Sequence, residues 1–382
     1  MILPGAVLGV LGGGQLGRMF TVRAREMGYR VIVLDPDLTS PAGAIANHHI
    51  AAEYDDEIAL RELAERCSAI TTEFENVPAE VLRWLADRVP VRPGPESVAI
   101  AQNRIVEKTY LRQHGLPTAA FEAIHGNGDL ESAWAAVGAP ALLKTARLGY
   151  DGKGQVAVND PGTLAEAFVA LRSQHCVLER RLSLESELSV VLARGVDGEV
   201  ACFPAIENVH VNGILETSTV PARVSAAVAE AATELAVTLA NQLDYTGVLA
   251  VELFVADGNQ LFVNELAPRP HNSGHFTLDA CVTDQFEQQV RSLCELPLGE
   301  PRLISPVTMI NILGDLWSDG DPAWEDALSH PGVKLHLYGK HHARPGRKMG
   351  HLNCLAGTVE SSFQLAHRAH GALRSRQAVT QA

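Results

Sequence analysis

Six cysteines are spread along the 382 residues with no C-x-x-C pair and no regular spacing. That excludes a disulfide frame or a zinc site of the usual spacing and points to reduced, packed thiols in a cytoplasmic protein. Basic charge is also scarce, with 31 Lys and Arg against 45 Asp and Glu and a formal net charge of -14. A nucleic-acid backbone is therefore a poor partner, although local basic pockets for small anions are not excluded. Long apolar runs are missing too. The opening MILPGAVLGVLGGGQLG is uncharged, but it lacks a basic leading segment and breaks into glycines after Leu11. It reads as a buried strand and turn, not as a signal peptide or a membrane span. No other stretch is long and apolar enough to cross a bilayer, and no internal repeat or Walker loop of the form G-x-x-x-x-G-K-[ST] is present.

What is present is an ordinary globular composition, 46% hydrophobic and 20% charged, in a chain long enough for two or three domains. The first hundred residues alternate apolar runs and helical patterns as a doubly wound parallel sheet does, with strands at 6–10, 30–34 and 69–74 and a helix at 78–88. The proline-rich VPVRPGPES at 89–97 marks a boundary. A helix at 96–114 stops at His114-Gly115. A small α+β unit follows, with strands at 117–124, 141–144, 155–159 and 176–180 and helices at 130–137 and 162–172. Strand-rich stretches at 187–211 and 247–267 flank an alanine-rich helix at 222–242. Strands at 306–313 and 333–338 and a helix at 361–375 complete the pattern. The expected domains are 1–100, 101–300 with a small subdomain at about 120–182, and 301–382.

Two glycine-rich turns compete as phosphate sites. KTARLGYDGKGQ, residues 144–155, follows Lys144 with three glycines and Lys153, a cradle of backbone N–H groups and ammonium charge suited to a polyphosphate. A flexible hairpin tip is the bland alternative. GGGQLG, residues 12–17, fits G-x-G-x-x-G, and Asp35 ends the next strand, so the dinucleotide fingerprint of an NAD(P)-dependent oxidoreductase is complete. A nicotinamide enzyme, however, gives no reason for the second glycine loop or for the paired acids below. The preferred reading of Gly14, Gln15 and Leu16 is a site for a ribonucleotide 5'-phosphate at a helix N-terminus.

GVLAVELFVADGNQLFVNELAPRP, residues 247–270, is two strands around Asp257-Gly258. If that pair is a two-residue turn, Glu252 lies opposite Val263 and Glu265 sits diagonally on the same face. Oxygen ligands so placed suit Mg²⁺, and the apolar neighbours Val251, Leu253, Val263 and Leu266 argue against a solvated face. Next come Arg269, His271, Asn272, Ser273 and His275, crowded donors of the kind found at an anion or oxyanion site. Lys340, Arg344, Arg347 and Lys348 form a local basic cluster that either clasps a phosphate or is a solvated turn.

Lys144, the glycine loop, ERRLSLESE at 179–187 and the Glu252/Glu265 pair occur in the order of the ATP-grasp carboxylate-amine ligases, which the chain resembles. GGGQLGRM, TTEFENVP, GYDGKGQ and NELAPRPHNSGH extend the resemblance over essentially the whole chain. They make it similar to the branch that carboxylates aminoimidazole ribonucleotide in purine biosynthesis. The resemblance implies an α/β and α+β chain, an ATP-grasp fold with an N-terminal Rossmann-like domain and a small C-terminal domain. It implies ATP contacts at Arg104, Lys144, the loop Gly149, Tyr150, Asp151, Gly152, Lys153, Gly154 and Gln155, then Glu179, Arg180, Arg181, Leu182, Glu187, His210, Asn264 and Glu265. Mg²⁺, with Mn²⁺ as an alternative, would sit on Glu252 and Glu265. The ribonucleotide would meet Gln15, Leu16, Glu73, Tyr150, Asp151, Lys153, Arg269, Lys340 and Arg347, and bicarbonate would lie near Arg269, His271 and Asn272. Catalysis would then rest on Lys144, Arg269, His271 and Asn272, in a cytoplasmic homodimer without nucleic-acid or membrane partners, and GYDGKGQ would be a lid that nucleotide orders. One departure is TARLGYDG where relatives often read T-R-R-G-G-Y-D-G, which puts Ala146 and Leu148 in question for loop mobility. Another ATP-grasp ligase and a non-catalytic nucleotide sensor are competing readings.

Overall fold

Short apolar runs that pair in parallel make the first sheet, in the order His48–Ile50, Arg30–Leu34, Val7–Leu11 and Ala69–Thr72. The computed structural model describes residues 1–149, 152–172, 175–318 and 320–374. The two central strands, VLGVL and RVIVL, are almost wholly apolar because both sheet faces are covered. Leu60, Leu63, Leu82 and Leu85 from the helices Glu57–Arg66 and Ala79–Ala86 close one face. Phe20 and Ala24 of the helix Gln15–Glu26 close the other, together with Phe286, Val290 and Leu293 of a helix at Gln285–Leu293. That second helix comes from far along the chain. Its polar string QFEQQVRSL gives little sign that Gln285, Gln288 and Gln289 are buried.

The helical stretch at 96–114 is two helices, Pro95–Ala101 and Arg104–Gln113. Asn103 separates them, and its Oδ1 accepts from Ile105 N at 3.0 Å, the side-chain cap that starts the second helix. The small α+β unit is an antiparallel sheet in the order Phe121–Ile124, Cys176–Arg180, Ala141–Thr145, Gln155–Val158. Helices Leu130–Val137 and Pro161–Ala170 bury Ala133, Leu164 and Phe168 against it.

The third sheet runs Gln260–Ala267, Gly247–Ala256, Leu184–Arg194, Ile206–Val211, Ile214–Val220, Val307–Leu313, Lys348–Leu355, Val333–Leu337, with Val200–Cys202 paired to Leu184–Arg194. Residues beyond 301 thus extend this sheet. The strand Lys348–Leu355 is missing from the sequence reading because His351 and Asn353 interrupt its apolar pattern, yet both are buried.

The acid-bearing hairpin departs from the expected register. Its turn holds three residues, Asp257, Gly258 and Asn259, with φ of 51°, 81° and 71°. Pairing then runs Ala256↔Gln260 to Leu253↔Val263, after which the register shifts and Glu252 pairs with Glu265. Asn264 is the extra residue of a bulge. Glu252 therefore faces Glu265 directly, not Val263 with Glu265 diagonal. All six cysteines are free and all but Cys202 are buried. Among the described residues no helix is long and apolar enough to cross a membrane.

Candidate active site

The hairpin brings the two carboxylates to one point, and other elements close around them. Asn264 Nδ2 lies 3.4 Å from Glu252 Oε2 and His271 Nε2 lies 3.3 Å from Glu252 Oε1. Arg104, opening its helix, reaches Glu265 Oε2 at 3.4 Å and donates to the Gly149 carbonyl at 3.2 Å. Its own N–H donates to Ala146 O at 2.9 Å, so one residue ties the glycine loop to the acid pair. Burial first and the facing Glu265 second push the Glu252 carboxyl up to about 7. Two opposed carboxylates that disfavour each other's charge suit a hard divalent cation. No group of three metal-ligating side chains occurs among the described residues, so a cation here would draw further oxygens from water or ligand. Behind the pair, buried Glu107 accepts from Leu266 N at 2.6 Å, and burial followed by Glu265 pushes its carboxyl up to about 8.

Lys144, next to last in its strand, meets Glu179, Nζ to Oε2 at 2.9 Å, with Lys108 Nζ at 3.5 Å from the same oxygen. Lys108 is 1% exposed and Glu179 3%. Burial alone would raise the Glu179 carboxyl, but Lys108 and then Lys144 outweigh it and hold it near 2. One carboxylate facing two ammonium groups leaves positive charge beside the glycine loop, as a polyphosphate requires. The Glu179 side chain is thus a support for Lys144, and its backbone is paired on both sides, with Phe121 and Leu142. On the neighbouring sheet His210 Nδ1 is 2.8 Å from Glu187 Oε2. Burial opposes the imidazolium, yet Glu187 and Glu252 raise its pKa.

At the first turn, the glycine N–H groups already have anions. Glu73 accepts from Gly14 N at 2.5 Å and Gly17 N at 2.7 Å, while Asp35 Oδ2 accepts from Gly13 N at 2.6 Å and from the Tyr54 hydroxyl at 2.7 Å. A Cβ at Gly14 would run into Glu73 Oε1, so the close approach that glycine permits here serves a carboxylate of the same chain. This takes the N–H groups of Gly13, Gly14 and Gly17 away from any phosphate, and with them the dinucleotide fingerprint, whereas those of Gln15 and Leu16 are engaged by neither carboxylate. Leu16 packs against the apolar core. Gln15 behaves otherwise: its Oε1 accepts from Lys340 Nζ at 2.6 Å, bringing two of the expected phosphate ligands together across the molecule. Arg347 donates to His342 O at 2.9 Å in the same basic segment.

Arg269 Nε donates to Glu75 Oε2 at 2.6 Å. Asn272 and Asn311 exchange amide hydrogen bonds at 3.1 and 2.7 Å, both buried, so a partner holds the Asn272 side chain in place. His275 is fully buried, with Nδ1 3.0 Å from Gln285 Nε2. Gly152, Lys153 and Gly154 lie in the glycine loop and Gln155 opens the strand after it, whereas Tyr150 and Asp151 lie outside the described residues. Sequence reasoning missed Glu75, Glu107 and Lys108. The first was legible as the alternate acid of TTEFENVP, but nothing in RIVEKTY marks a buried Glu-Lys pair.

Comparison with known proteins agrees with this geometry. Residues 109–286 match the ATP-grasp domain, 6–102 the ribonucleotide synthetase preATP-grasp domain, and 307–364 the phosphoribosylaminoimidazole carboxylase C-terminal domain. The chain is 46% identical over 352 residues to the N5-carboxyaminoimidazole ribonucleotide synthase of Bacillus subtilis, covering 92% of each. It superposes on an ADP complex of an N5-carboxyaminoimidazole ribonucleotide synthetase with a TM-score of 0.91 at 43% identity, covering 97% of each chain. An Aspergillus clavatus N5-carboxyaminoimidazole synthase in complex with ADP and 5-aminoimidazole ribonucleotide gives 0.89 at 32%, covering 96% of this chain and 98% of that one. Fold and site together define an ATP-grasp enzyme, an ATP-dependent ligase. Within that class the chain belongs to the N5-carboxyaminoimidazole ribonucleotide synthase family.

Proposed function

We propose that the chain carboxylates the exocyclic amine of 5-aminoimidazole ribonucleotide with bicarbonate and ATP, releasing the 5-(carboxyamino)imidazole ribonucleotide, ADP and phosphate. One observation carries this reading. Arg104 links Gly149 to Glu265, and His271 reaches Glu252, so the glycine loop, the acid pair and the NSGH loop meet at one centre.

Bicarbonate is a poor electrophile, and phosphorylation supplies its leaving group. A bicarbonate oxygen attacks the γ-phosphorus, the bond to ADP breaks, and ADP leaves with the electron pair. In the carboxyphosphate so formed, the C–N bond to the amine forms as the C–O bond to phosphate breaks; phosphate takes that pair and the amine gives up a proton. The protein's part is positioning and charge neutralisation. Lys144 and Arg104 hold the polyphosphate, Glu187 the ribose hydroxyls, and His210 and Asn264 the rest of the nucleotide pocket. Mg²⁺ on Glu252 and Glu265, when bound, offsets charge on the transferring phosphoryl group. Arg269, fixed through Nε by Glu75, and His271 face the bicarbonate. Gln15, Lys340 and Arg347 take the ribonucleotide phosphate, and the glycine loop excludes water. A homodimer and a cytoplasmic location belong to the same proposal.

Coupled ADP release tests the reading, with the aminoimidazole ribonucleotide and bicarbonate omitted in turn. Loss of turnover without bicarbonate is expected, and Glu265→Gln should abolish it. Turnover indifferent to bicarbonate would refute the proposal.

A further inference from the structure

The imidazole of His271 ends a chain of buried hydrogen bonds that crosses three neighbouring strands. Ser218, on Ile214–Val220, donates from Oγ to Asn208 Oδ1 at 2.8 Å. Asn208, on Ile206–Val211, donates from Nδ2 to Ser189 Oγ at 2.9 Å. Ser189, on Leu184–Arg194, donates to Ser273 Oγ at 2.8 Å, and Ser273 Oγ lies 2.9 Å from His271 Nδ1. All four supporting residues are buried.

Hydroxyls and amides can be turned, so such a chain runs in either direction unless something fixes it. A backbone group fixes this one. The Ser273 N–H points at His271 Nδ1 at 3.3 Å and cannot reverse. Nδ1 must therefore be an acceptor and carries no proton. The single hydroxyl proton of Ser273 then also goes to Nδ1, Ser273 Oγ must accept from Ser189, Ser189 from Asn208 Nδ2, and Asn208 Oδ1 from Ser218. The proton of the neutral ring sits on Nε2, the atom that faces Glu252 Oε1.

We propose that Ser273, backed by Ser189, Asn208 and Ser218, is a positioning residue that locks His271 in the Nε2–H tautomer. His271 is then a hydrogen-bond donor toward the anion at the acid pair and does not accept the amine proton. Ser189 lies two residues from Glu187 on one strand face, so the relay runs beneath the nucleotide pocket. The role at an anion rests on the function proposed above, whereas the tautomer does not.

Nitrogen NMR of the full chain labelled in histidine, without substrates, reads the tautomer directly. The His271 signals are assigned by their loss in His271→Gln. A pyridine-type Nδ1 and a protonated, pyrrole-type Nε2 are expected. A protonated Nδ1 would overturn the proposal whether or not the chain is a carboxylase. In Ser273→Ala the Nδ1 signal should shift as its O–H donor is lost, and an unmoved signal would overturn the relay. Should that variant fail to fold, Ser189→Ala serves: it should raise the KM for bicarbonate by roughly 10-fold or more while leaving the KM for ATP unchanged. Equal effects on both constants would mark a merely structural role and sink the proposal.

Discussion

Glu252 and Glu265 stand directly opposite each other across their hairpin because the second strand carries one residue more than the first. A three-residue turn alone would pair Glu252 with Asn264. The bulge at Asn264 moves Glu265 into register and lets the Asn264 amide approach Glu252. Like-charge neighbours at this spacing repel, which with burial pushes the Glu252 carboxyl up to about 7, and a cation between them would favour the dianion.

Glu252→Gln and Glu265→Gln should each weaken Mg²⁺ binding in the presence of ATP by at least the roughly 10- to 100-fold that loss of a supporting residue costs. Titration calorimetry checks this. Glu252→Gln should also raise the melting temperature of the metal-free protein by removing the repulsion. An unchanged metal affinity in both variants would remove the pair from the metal site.

Glu179→Gln should destabilise the fold by about 3–5 kcal/mol, because Lys108 and Lys144 lose their shared buried counter-charge. Urea denaturation measures it. The sign with pH follows from a folded pKa held near 2, below the ordinary 4.5. The carboxylate's contribution is present above 4.5 and is lost as pH falls toward 2. Over that window the wild type should lose stability more steeply than Glu179→Gln, and parallel curves would contradict the pairing.

NADH should not bind. The N–H groups of Gly13, Gly14 and Gly17 already donate to Asp35 and Glu73, so the glycine donors of the fingerprint are not available to a pyrophosphate. Adding protein to NADH should leave its fluorescence unchanged, whereas saturable enhancement would restore the dinucleotide reading.

Much of the scaffold was legible in the sequence. Arg30–Leu34, Leu130–Val137 and Cys176–Arg180 sit where apolar runs and stop signals put them. The failures share a cause, which is polar groups satisfied by distant partners. Lys348–Leu355 hides as a strand because His351 and Asn353 look exposed, and Gln285–Leu293 hides as a core helix behind its glutamines. At the site, residue type told which side chains matter, but not what each one touches. Gln15 with Lys340 came out together, whereas Glu73 fills the turn that was read as a phosphate cradle, since no sequence pattern separates a bound anion from the chain's own carboxylate.

If the glycine loop closes over the nucleotide, Mg-ATP should protect Arg147 and Lys153 from trypsin. A Cβ at Gly152 would lie 3.2 Å from the Gly213 Cα, so in this structure the loop rests against the turn after His210. Cleavage rates compared with and without Mg-ATP decide it, and equal rates would argue against a lid.

The central claim is that ATP activates bicarbonate itself. Heavy-oxygen-labelled bicarbonate turned over with ATP and aminoimidazole ribonucleotide tests it most directly, with the released phosphate read by mass spectrometry. Phosphate carrying one oxygen from bicarbonate is the predicted result. Product formed with phosphate free of that label would contradict the account.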